Sequence, residues 1–321
     1  MTTTPVIQRE PERPILSELE ASAPDRSRRR STGVSATIRR HPLTSFFLLA
    51  FAITWAPVPA GSFLAAGPLL AAVIITAIVD GRPGLRALGR RMILWRVGWQ
   101  WYAAALLVPL TVVLTSGGLA VAFGAPGSVF GRLQISSLLL LFALRLVVPI
   151  MSPIGEEPGW RGFALPRLLA GRSAFEATLV LALIVALWHV PLIFLPSEDL
   201  PPIFLLATVA VTFFYTWLLM GTGGSVFITI VAHAAEGVIG NRFTGSDGFS
   251  GTDETHWILL YTAGWCAVAI GLLLLNRDLW FSKAPVSIAA NGSRRDTVVG
   301  VDSVRLDIRS ARREPLAPGE P

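Results

Sequence analysis

Eight long apolar stretches constrain this chain more than any other feature of its sequence. A helix that crosses a bilayer needs about 20 apolar residues, and helices satisfy their own backbone hydrogen bonds in lipid. The chain is 52% hydrophobic and only 15% charged, with a mean hydropathy of +0.59, whereas soluble domains are about one quarter charged. We therefore predict an all-α polytopic membrane protein, a bundle of about eight transmembrane helices. The predicted spans are 44–58, 62–79, 100–123, 135–154, 175–195, 202–220, 224–240 and 257–275.

The basic residues are distributed unevenly between the segments that connect these spans. If the N-terminus is inside, 24 of the 27 Lys and Arg residues fall in inner segments, and the outer loops hold only Arg132 and Arg242. Because cytoplasmic segments carry an excess of Lys and Arg, we predict that both termini are cytoplasmic and that the chain is a multi-pass protein of the plasma membrane. The net charge of +6 then reflects the basic residues that orient the chain in the membrane, and no nucleic-acid partner is predicted.

Polar segments flank the membrane region on both sides. We divide the chain into a basic N-terminal tail (1–42), a transmembrane domain (43–276) and a C-terminal tail (277–321). The composition of both tails predicts disorder, and no signal peptide is evident. The single cysteine, Cys266, excludes an intrachain disulfide.

Ionisable groups inside apolar stretches indicate function, because they are costly at membrane depth. The sequence PIGEEPGWRGF places Glu156, Glu157 and Arg161 at the predicted inner end of the fourth span. It is compatible with a solvated loop in which Pro158 and Gly159 break the helix. It is equally compatible with a helix in which Glu157 and Arg161, four residues apart, form an ion pair. Glu156 then points elsewhere and is available for another role.

Two of the four histidines lie within apolar stretches. His189 lies in the fifth span, and His233 lies with Glu236 in the seventh. A single intramembrane histidine more commonly makes a hydrogen bond between helices. A glutamate with two histidines is also the ligand set of a catalytic zinc, or a set that activates water without a metal. Both of these alternatives predict hydrolysis.

Three motifs resemble those of a known family. EEPGWRGFALPRL (156–168) is similar to the first motif of the CAAX-protease and bacteriocin-processing family (CPBP or Abi), intramembrane proteases. WHVPL (188–192) and VAHAAEG (231–237) resemble its second and third motifs, in the same order, within a core of about 135–245.

The resemblance implies an intramembrane endopeptidase that cleaves a membrane-associated peptide or a lipidated protein. Glu156, helped by His189, would activate water, and His233 would orient the substrate carbonyl or complete a metal site. Glu157 and Arg161 would hold the first motif together. The family is described both as zinc-dependent and as glutamate-dependent without a metal, so zinc bound by Glu156, His189 and His233 is one expectation.

Two positions depart from the family pattern. Val185 stands where the second motif often has phenylalanine, and Gly237 stands where the third usually has asparagine or aspartate. Glu236 or Asn241 would have to compensate for Gly237. The departure favours an alternative, a weakly active or inactive immunity-type scaffold that binds its partner. A transporter that uses Arg145, Glu156 and the histidines as an ion path is a further alternative.

Overall fold

The computed structural model describes residues 33–151, 153–196, 200–240, 243 and 248–282. Within these ranges the chain is helical and contains no β-strand, which confirms the predicted all-α class. The tails predicted to be disordered lie mostly outside the described residues. Their described parts are helical next to the membrane region.

The described residues form a series of helices joined by short connections. In chain order the helices are α1 (Val34–Arg40), α2 (Pro42–Trp55), α3 (Gly67–Val79), α4 (Gly81–Met92), α5 (Trp99–Ala122), α6 (Ser128–Gly131), α7 (Ile135–Val147), α8 (Pro153–Glu157), a π-helix (Pro158–Ala164), α9 (Leu165–Leu169), α10 (Ala174–His189), α11 (Phe204–Gly221), α12 (Val226–Gly240), α13 (Thr252–Leu275) and α14 (Arg277–Phe281), with 3₁₀ turns at Val58–Ala60, Pro149–Met151 and Val190–Ile193.

Each predicted apolar stretch contains one apolar helix. In the part of the chain that the structure describes, five helical segments are long and apolar enough to cross a membrane: Pro42–Ala60, Trp99–Ala122, Ala174–Ile193, Phe204–Gly221 and Thr252–Leu275. Three shorter apolar helices accompany them, α3, α7 and α12. The chain is therefore a multi-pass membrane protein.

The fourth predicted span, 135–154, is wrong as a single helix. The helix α7 ends at Val147, and Val148 is extended, with φ −98° and ψ 110°. The physical reason is Pro149, because a residue that precedes proline is pushed out of the helical region. A second, continuous helical segment then begins at Pro153 and runs through α8, the π-helix and α9 to Leu169. We call this segment, residues 153–169, the motif helix; it is about 25 Å long.

The motif helix lies alongside α3 and runs in the same direction. A Cβ atom on Gly155 would lie 3.0 Å from the Ala65 carbonyl oxygen, and one on Gly159 would lie 2.6 Å from the Pro68 backbone. The other end of the motif helix forms an ion pair between Arg167 and Asp80, which follows α3. The two glycines are needed because only a residue without a side chain permits so close a backbone approach.

The bundle has two faces, which differ in charge. The basic face holds α1, α4 and the turn after α9; here Arg39 donates to the Val79 carbonyl oxygen at 3.0 Å. The helix α4 carries Arg82, Arg86, Arg90 and Arg91. Burial, and secondarily the charge of Arg167, lowers the pKa of Arg91.

The opposite face holds the described parts of three connections, residues 56–66, 190–196 with 200–203, and 248–251. Here the Trp55 indole donates to the Trp188 carbonyl oxygen at 3.1 Å, which joins the ends of α2 and α10. Trp188 also packs edge-on against Trp160 of the motif helix, with ring centroids 5.6 Å apart. Trp160 in turn contacts Phe46 of α2 in the same way. This buried aromatic cluster fixes the motif helix between α2 and α10.

Candidate active site

The two adjacent glutamates are buried inside the bundle. Only 3% of Glu156 and 0% of Glu157 is exposed, so the solvated-loop alternative is wrong. Pro158 and Gly159 do not break the helix; they begin a seven-residue π-helix that is buried throughout. Proline lacks the N–H of a regular helical hydrogen bond, and π-helical turns are frequent at functional sites.

Glu157 connects two helices through one carboxylate oxygen. Its Oε1 accepts hydrogen bonds from Arg161 Nη1 at 3.0 Å and from His233 Nδ1 at 2.9 Å. The Arg161 guanidinium also donates to Thr212 Oγ1 at 3.3 Å and lies 4.8 Å from the centroid of the Tyr215 ring. The ion pair expected between Glu157 and Arg161 is therefore present, and it also holds the His233 ring in place.

His189 is oriented by its own helix. Its Nδ1 lies 2.9 Å from the Val185 carbonyl oxygen. Because a carbonyl oxygen can only accept, we assign the ring proton to Nδ1, which leaves Nε2 as an acceptor. This hydrogen bond uses the backbone carbonyl of Val185, so valine in place of the family's phenylalanine does not affect it.

A small cavity brings the candidate residues together. It offers about 50 Å³ to the centres of water molecules, and since one water needs about 10–15 Å³ by this measure, a few fit. Its wall contains Glu156, His189, His233, Glu236 and Arg161. Three helical segments supply these side chains, namely the motif helix, α10 and α12; α11 adds Thr212 and Tyr215 to the wall, and α13 adds Tyr261.

Glu236, one of the two residues expected to compensate for Gly237, lies in the cavity wall. Its Oε1 accepts a hydrogen bond from the Tyr261 hydroxyl of α13. Asn241, the other residue expected to compensate for Gly237, lies outside the described residues.

The space beside Gly237 is occupied by Arg145 of α7. A Cβ atom on Gly237 would lie 2.6 Å from Arg145 Cζ and 3.1 Å from its Nε. The guanidinium therefore fills the volume that a side chain at position 237 would need. Arg145 is only 9% exposed, and its Nε has no hydrogen-bond partner among the described residues.

The described side chains do not form a metal-binding cluster. No group of three or more His, Cys, Asp or Glu residues is arranged to hold an ion within the described ranges. His233 Nδ1 is already bonded to Glu157, and His189 Nδ1 to its own helix. The expected zinc site at Glu156, His189 and His233 therefore stays a prediction.

The site lies near the face opposite to the one expected. We expected Glu156 at the inner end of a span, next to an inner loop that begins at residue 155. Instead, Glu156 lies at the start of the motif helix, and the ring of His189 stacks on Phe63 in the connection 56–66, with centroids 6.3 Å apart. The basic face lies at the other end of the motif helix, at Arg167 and Asp80.

Sequence reasoning missed several side chains of the cavity wall. The tyrosines gave a usable signal, because the chain has only three and two of them, Tyr215 and Tyr261, line the cavity. Thr208 and Thr212 gave no such signal. Each donates to the carbonyl oxygen four residues earlier, which is a common role of threonine in apolar helices.

Comparison with known proteins agrees with this geometry. A family model described as type II CAAX prenyl endopeptidase Rce1-like matches residues 137–239, the region that contains Glu156, His189 and His233. This central region is similar to the Rce1-like family. CAAX prenyl protease 2 of Methanococcus maripaludis is 29% identical over 138 residues, which cover 40% of this chain and 51% of the relative. The chain thus spans about half the length of that curated relative, and the Rce1-like region confirms the family resemblance of the motifs.

Proposed function

We propose that the chain is an intramembrane endopeptidase that hydrolyses a peptide bond with a water molecule activated by Glu156. The observation that carries this proposal is the shared cavity of Glu156, His189 and His233, which has room for a few waters. An apolar bundle has no structural need for such a group of ionisable side chains. The match of residues 137–239 to the Rce1-like family model supports the reaction type.

The proposed reaction needs only one water and the side chains of the cavity. Glu156 accepts a proton from the water while the water oxygen attacks the peptide carbonyl carbon. His189 accepts a hydrogen bond from the same water through Nε2 and aligns it. The tetrahedral intermediate then collapses, the C–N bond breaks, and the proton passes from Glu156 to the leaving amine.

His233 is proposed to act on the carbonyl oxygen. Its Nδ1–H donates to Glu157 Oε1 at 2.9 Å, which fixes the ring orientation. The ring acts in its positively charged form, protonated on both nitrogens, so that Nε2–H is the donor to the oxygen. A fixed donor aimed at developing negative charge lowers the barrier, because it needs no reorganisation during the reaction. Glu157 and Arg161 are therefore positioning residues in this proposal.

The name of the relative, CAAX prenyl protease 2, indicates a prenylated CAAX substrate for that protein. We propose a membrane-associated or lipidated peptide for this chain. If both termini are cytoplasmic, as the basic face predicts, the cavity lies in the outer half of the membrane. Substrate would then reach it from the side opposite to the tails.

The first test is cleavage of a panel of membrane-anchored peptides, with a farnesylated CAAX peptide among them, by the purified full chain in detergent. Glu156→Gln and His189→Ala are expected to lower kcat by about a hundredfold or more, the usual contribution of acid–base groups. Glu254→Gln and His256→Ala are matched controls near the start of α13, outside the cavity wall. Cleavage that survives Glu156→Gln would overturn its role as the base.

Metal content measured on the same samples tests the zinc expectation. Stoichiometric zinc that is lost in His189→Ala, together with inhibition by a chelator, would establish a metal site. No step of the proposal uses a metal.

The occupied space at Gly237 favours one alternative, a scaffold with little activity. It predicts that the folded chain binds the peptides but cleaves none of them. Activity in Gly237→Asn that the wild type lacks would support it.

A further inference from the structure

One hydroxyl group of the cavity wall has an unused donor. The described part of the wall contains four side chains with a hydroxyl, namely Thr208, Thr212, Tyr215 and Tyr261. Both threonines donate to carbonyl oxygens of their own helix, and Tyr261 donates to Glu236. The Tyr215 hydroxyl makes no hydrogen bond within the described ranges, so its proton is available to a molecule in the cavity.

This hydroxyl is accessible although the side chain of Tyr215 is buried. Only 2% of Tyr215 is exposed. Enclosed polar atoms without a hydrogen bond occur nearby, such as Thr216 Oγ1 and Arg161 Nε, but the Tyr215 hydroxyl oxygen is not one of them. It is therefore in reach of a water-sized molecule, and the cavity is the space that Tyr215 lines. A buried tyrosine hydroxyl usually has a hydrogen-bond partner, which here is a molecule bound in the cavity.

Two contacts fix the ring that carries this hydroxyl. The ring stacks on His233, with centroids 5.4 Å apart and planes 24° apart. The Arg161 guanidinium lies 4.8 Å from the centroid of the Tyr215 ring. Since His233 and Arg161 both donate to Glu157, one buried carboxylate positions the two groups that hold Tyr215. The hydroxyl is thus fixed on the side of the cavity where His233 acts.

The proposed reaction has room for a second donor at the carbonyl oxygen. A carbonyl oxygen has two lone pairs, and fixed donors aimed at its developing negative charge lower the barrier. His233 supplies one donor. Gly237 supplies none, although the family usually has asparagine or aspartate there. The cavity admits only a few water positions, so a donor in its wall that lies against His233 acts on the same molecule as His233.

We propose that Tyr215 is a further catalytic residue, whose hydroxyl donates a second hydrogen bond to the carbonyl oxygen of the peptide bond that is cleaved. The inference rests on the proposed peptidase function and adds a group that this reaction has not used. The phenol keeps its proton throughout. Its hydrogen bond strengthens as the oxygen becomes negative and weakens again when the intermediate collapses, so the proton transfers of the reaction are unchanged.

Other roles of Tyr215 predict other results. If only the ring matters, through its stacking on His233, phenylalanine replaces tyrosine without a change in kcat. If the hydroxyl binds the substrate equally well before and during the reaction, its removal raises KM and leaves kcat unchanged. If it acts on the oxygen in the transition state, kcat and kcat/KM fall by the same factor.

The first experiment compares Tyr215→Phe with the full-length wild type on the panel of membrane-anchored peptides in detergent. We expect kcat to fall about a hundredfold to a thousandfold, as after removal of one oxyanion donor, with KM and the midpoint of thermal unfolding unchanged. Tyr102→Phe is the matched control, because the Tyr102 hydroxyl donates to the Trp95 carbonyl oxygen outside the cavity wall. It should cleave as wild type. An unchanged kcat in Tyr215→Phe, or a rise in KM alone, would overturn the inference.

The second experiment needs no turnover. A phosphinate in place of the cleaved bond imitates the tetrahedral, negatively charged intermediate, and such analogues bind more tightly than substrates. Affinities for the phosphinate and amide forms of one peptide are measured with Glu156→Gln and with Glu156→Gln/Tyr215→Phe. We expect the first protein to prefer the phosphinate and the second to lose at least about tenfold of that preference.

This comparison separates the inference from the proposed function. If the wild type cleaves no peptide, the proposed function fails, and the phosphinate is placed at each bond of the farnesylated peptide in turn. A phosphinate preference that Tyr215→Phe removes supports the inference even then. Equal affinities for the two forms, a preference that survives Tyr215→Phe, or no binding of either form would overturn it.

Discussion

At the scale of single residues, Glu157 holds the site together because Arg161 and His233 share its Oε1. We predict that Glu157→Gln lowers the free energy of unfolding by about 3–5 kcal/mol, because it leaves Arg161 buried without its counter-ion. Thermal unfolding in detergent measures this change. Cleavage should be lost too, since His233 loses its orienting carboxylate.

The double variant Glu157→Gln/Arg161→Met separates these two effects. Removing the buried cation should restore much of the stability, because a buried ion pair can be replaced by apolar groups at little cost. Activity should stay low, because His233 is still unsupported. Full activity in the double variant would contradict the positioning role of Glu157.

Gly237 and Arg145 offer a second prediction at this scale, because they compete for one volume. Gly237→Asn alone should destabilise the protein by about 1–3 kcal/mol through overpacking. Combined with Arg145→Ala, which empties the same space, it should cost less than the sum of the single changes, with a coupling of about 0.5–3 kcal/mol. Additive shifts in thermal unfolding would mean that the two residues do not share the space.

At the scale of elements, the motif helix depends on its contact with α3. Gly159→Ala places a Cβ atom 2.6 Å from the Pro68 backbone, and backbone cannot move aside as a flexible side chain can. We predict a loss of about 1–3 kcal/mol in stability and reduced cleavage, since Glu156 is displaced with the helix. Gly118→Ala is the control: nothing lies within 4 Å of its Cβ position in α5, so it should be neutral or stabilising. Equal effects of the two changes would contradict this account.

Composition was sufficient to predict the all-α membrane class and the positions of the apolar stretches, because apolar length decides what can cross a bilayer. It was not sufficient to place the fourth crossing. The apolar run continues through Pro149 and Pro153, and hydropathy does not register a break that proline causes. The helical character of 153–169 was equally hidden, since Pro158 and Gly159 normally end a helix whereas here they begin a π-helix.

The contacts of the site were likewise predictable from the sequence only in part. The ion pair of Glu157 with Arg161 follows from a spacing of four residues, so the sequence predicts it. The contact of Arg145 with Gly237 joins residues 92 positions apart on α7 and α12, and no local pattern reports it. The bond between Glu236 and Tyr261 is missed for the same reason.

At the scale of the whole molecule, the charge distribution and the position of the site together predict which side of the membrane the cavity faces. The basic face carries α1 and α4, and the cavity lies towards the connection 56–66 on the other face. Lys and Arg mark the cytoplasmic side. The cavity should therefore lie nearer the outer surface, although the topology predicted from the apolar stretches placed the glutamates at the inner one.

Cysteine labelling in intact cells tests this arrangement directly. In a Cys266→Ala background, Ser62→Cys marks the exposed connection beside the site and Arg86→Cys marks the exposed side of α4. We expect a membrane-impermeant maleimide to label Ser62→Cys in intact cells, and Arg86→Cys only after permeabilisation, with a cytoplasmic cysteine protein as the control for leakage.

The reverse pattern would show that the cavity faces the cytoplasm and the tails do not. The orientation predicted from charge would then be wrong, whereas the internal geometry of the site would be unaffected, because it depends on helix contacts and not on the direction of insertion.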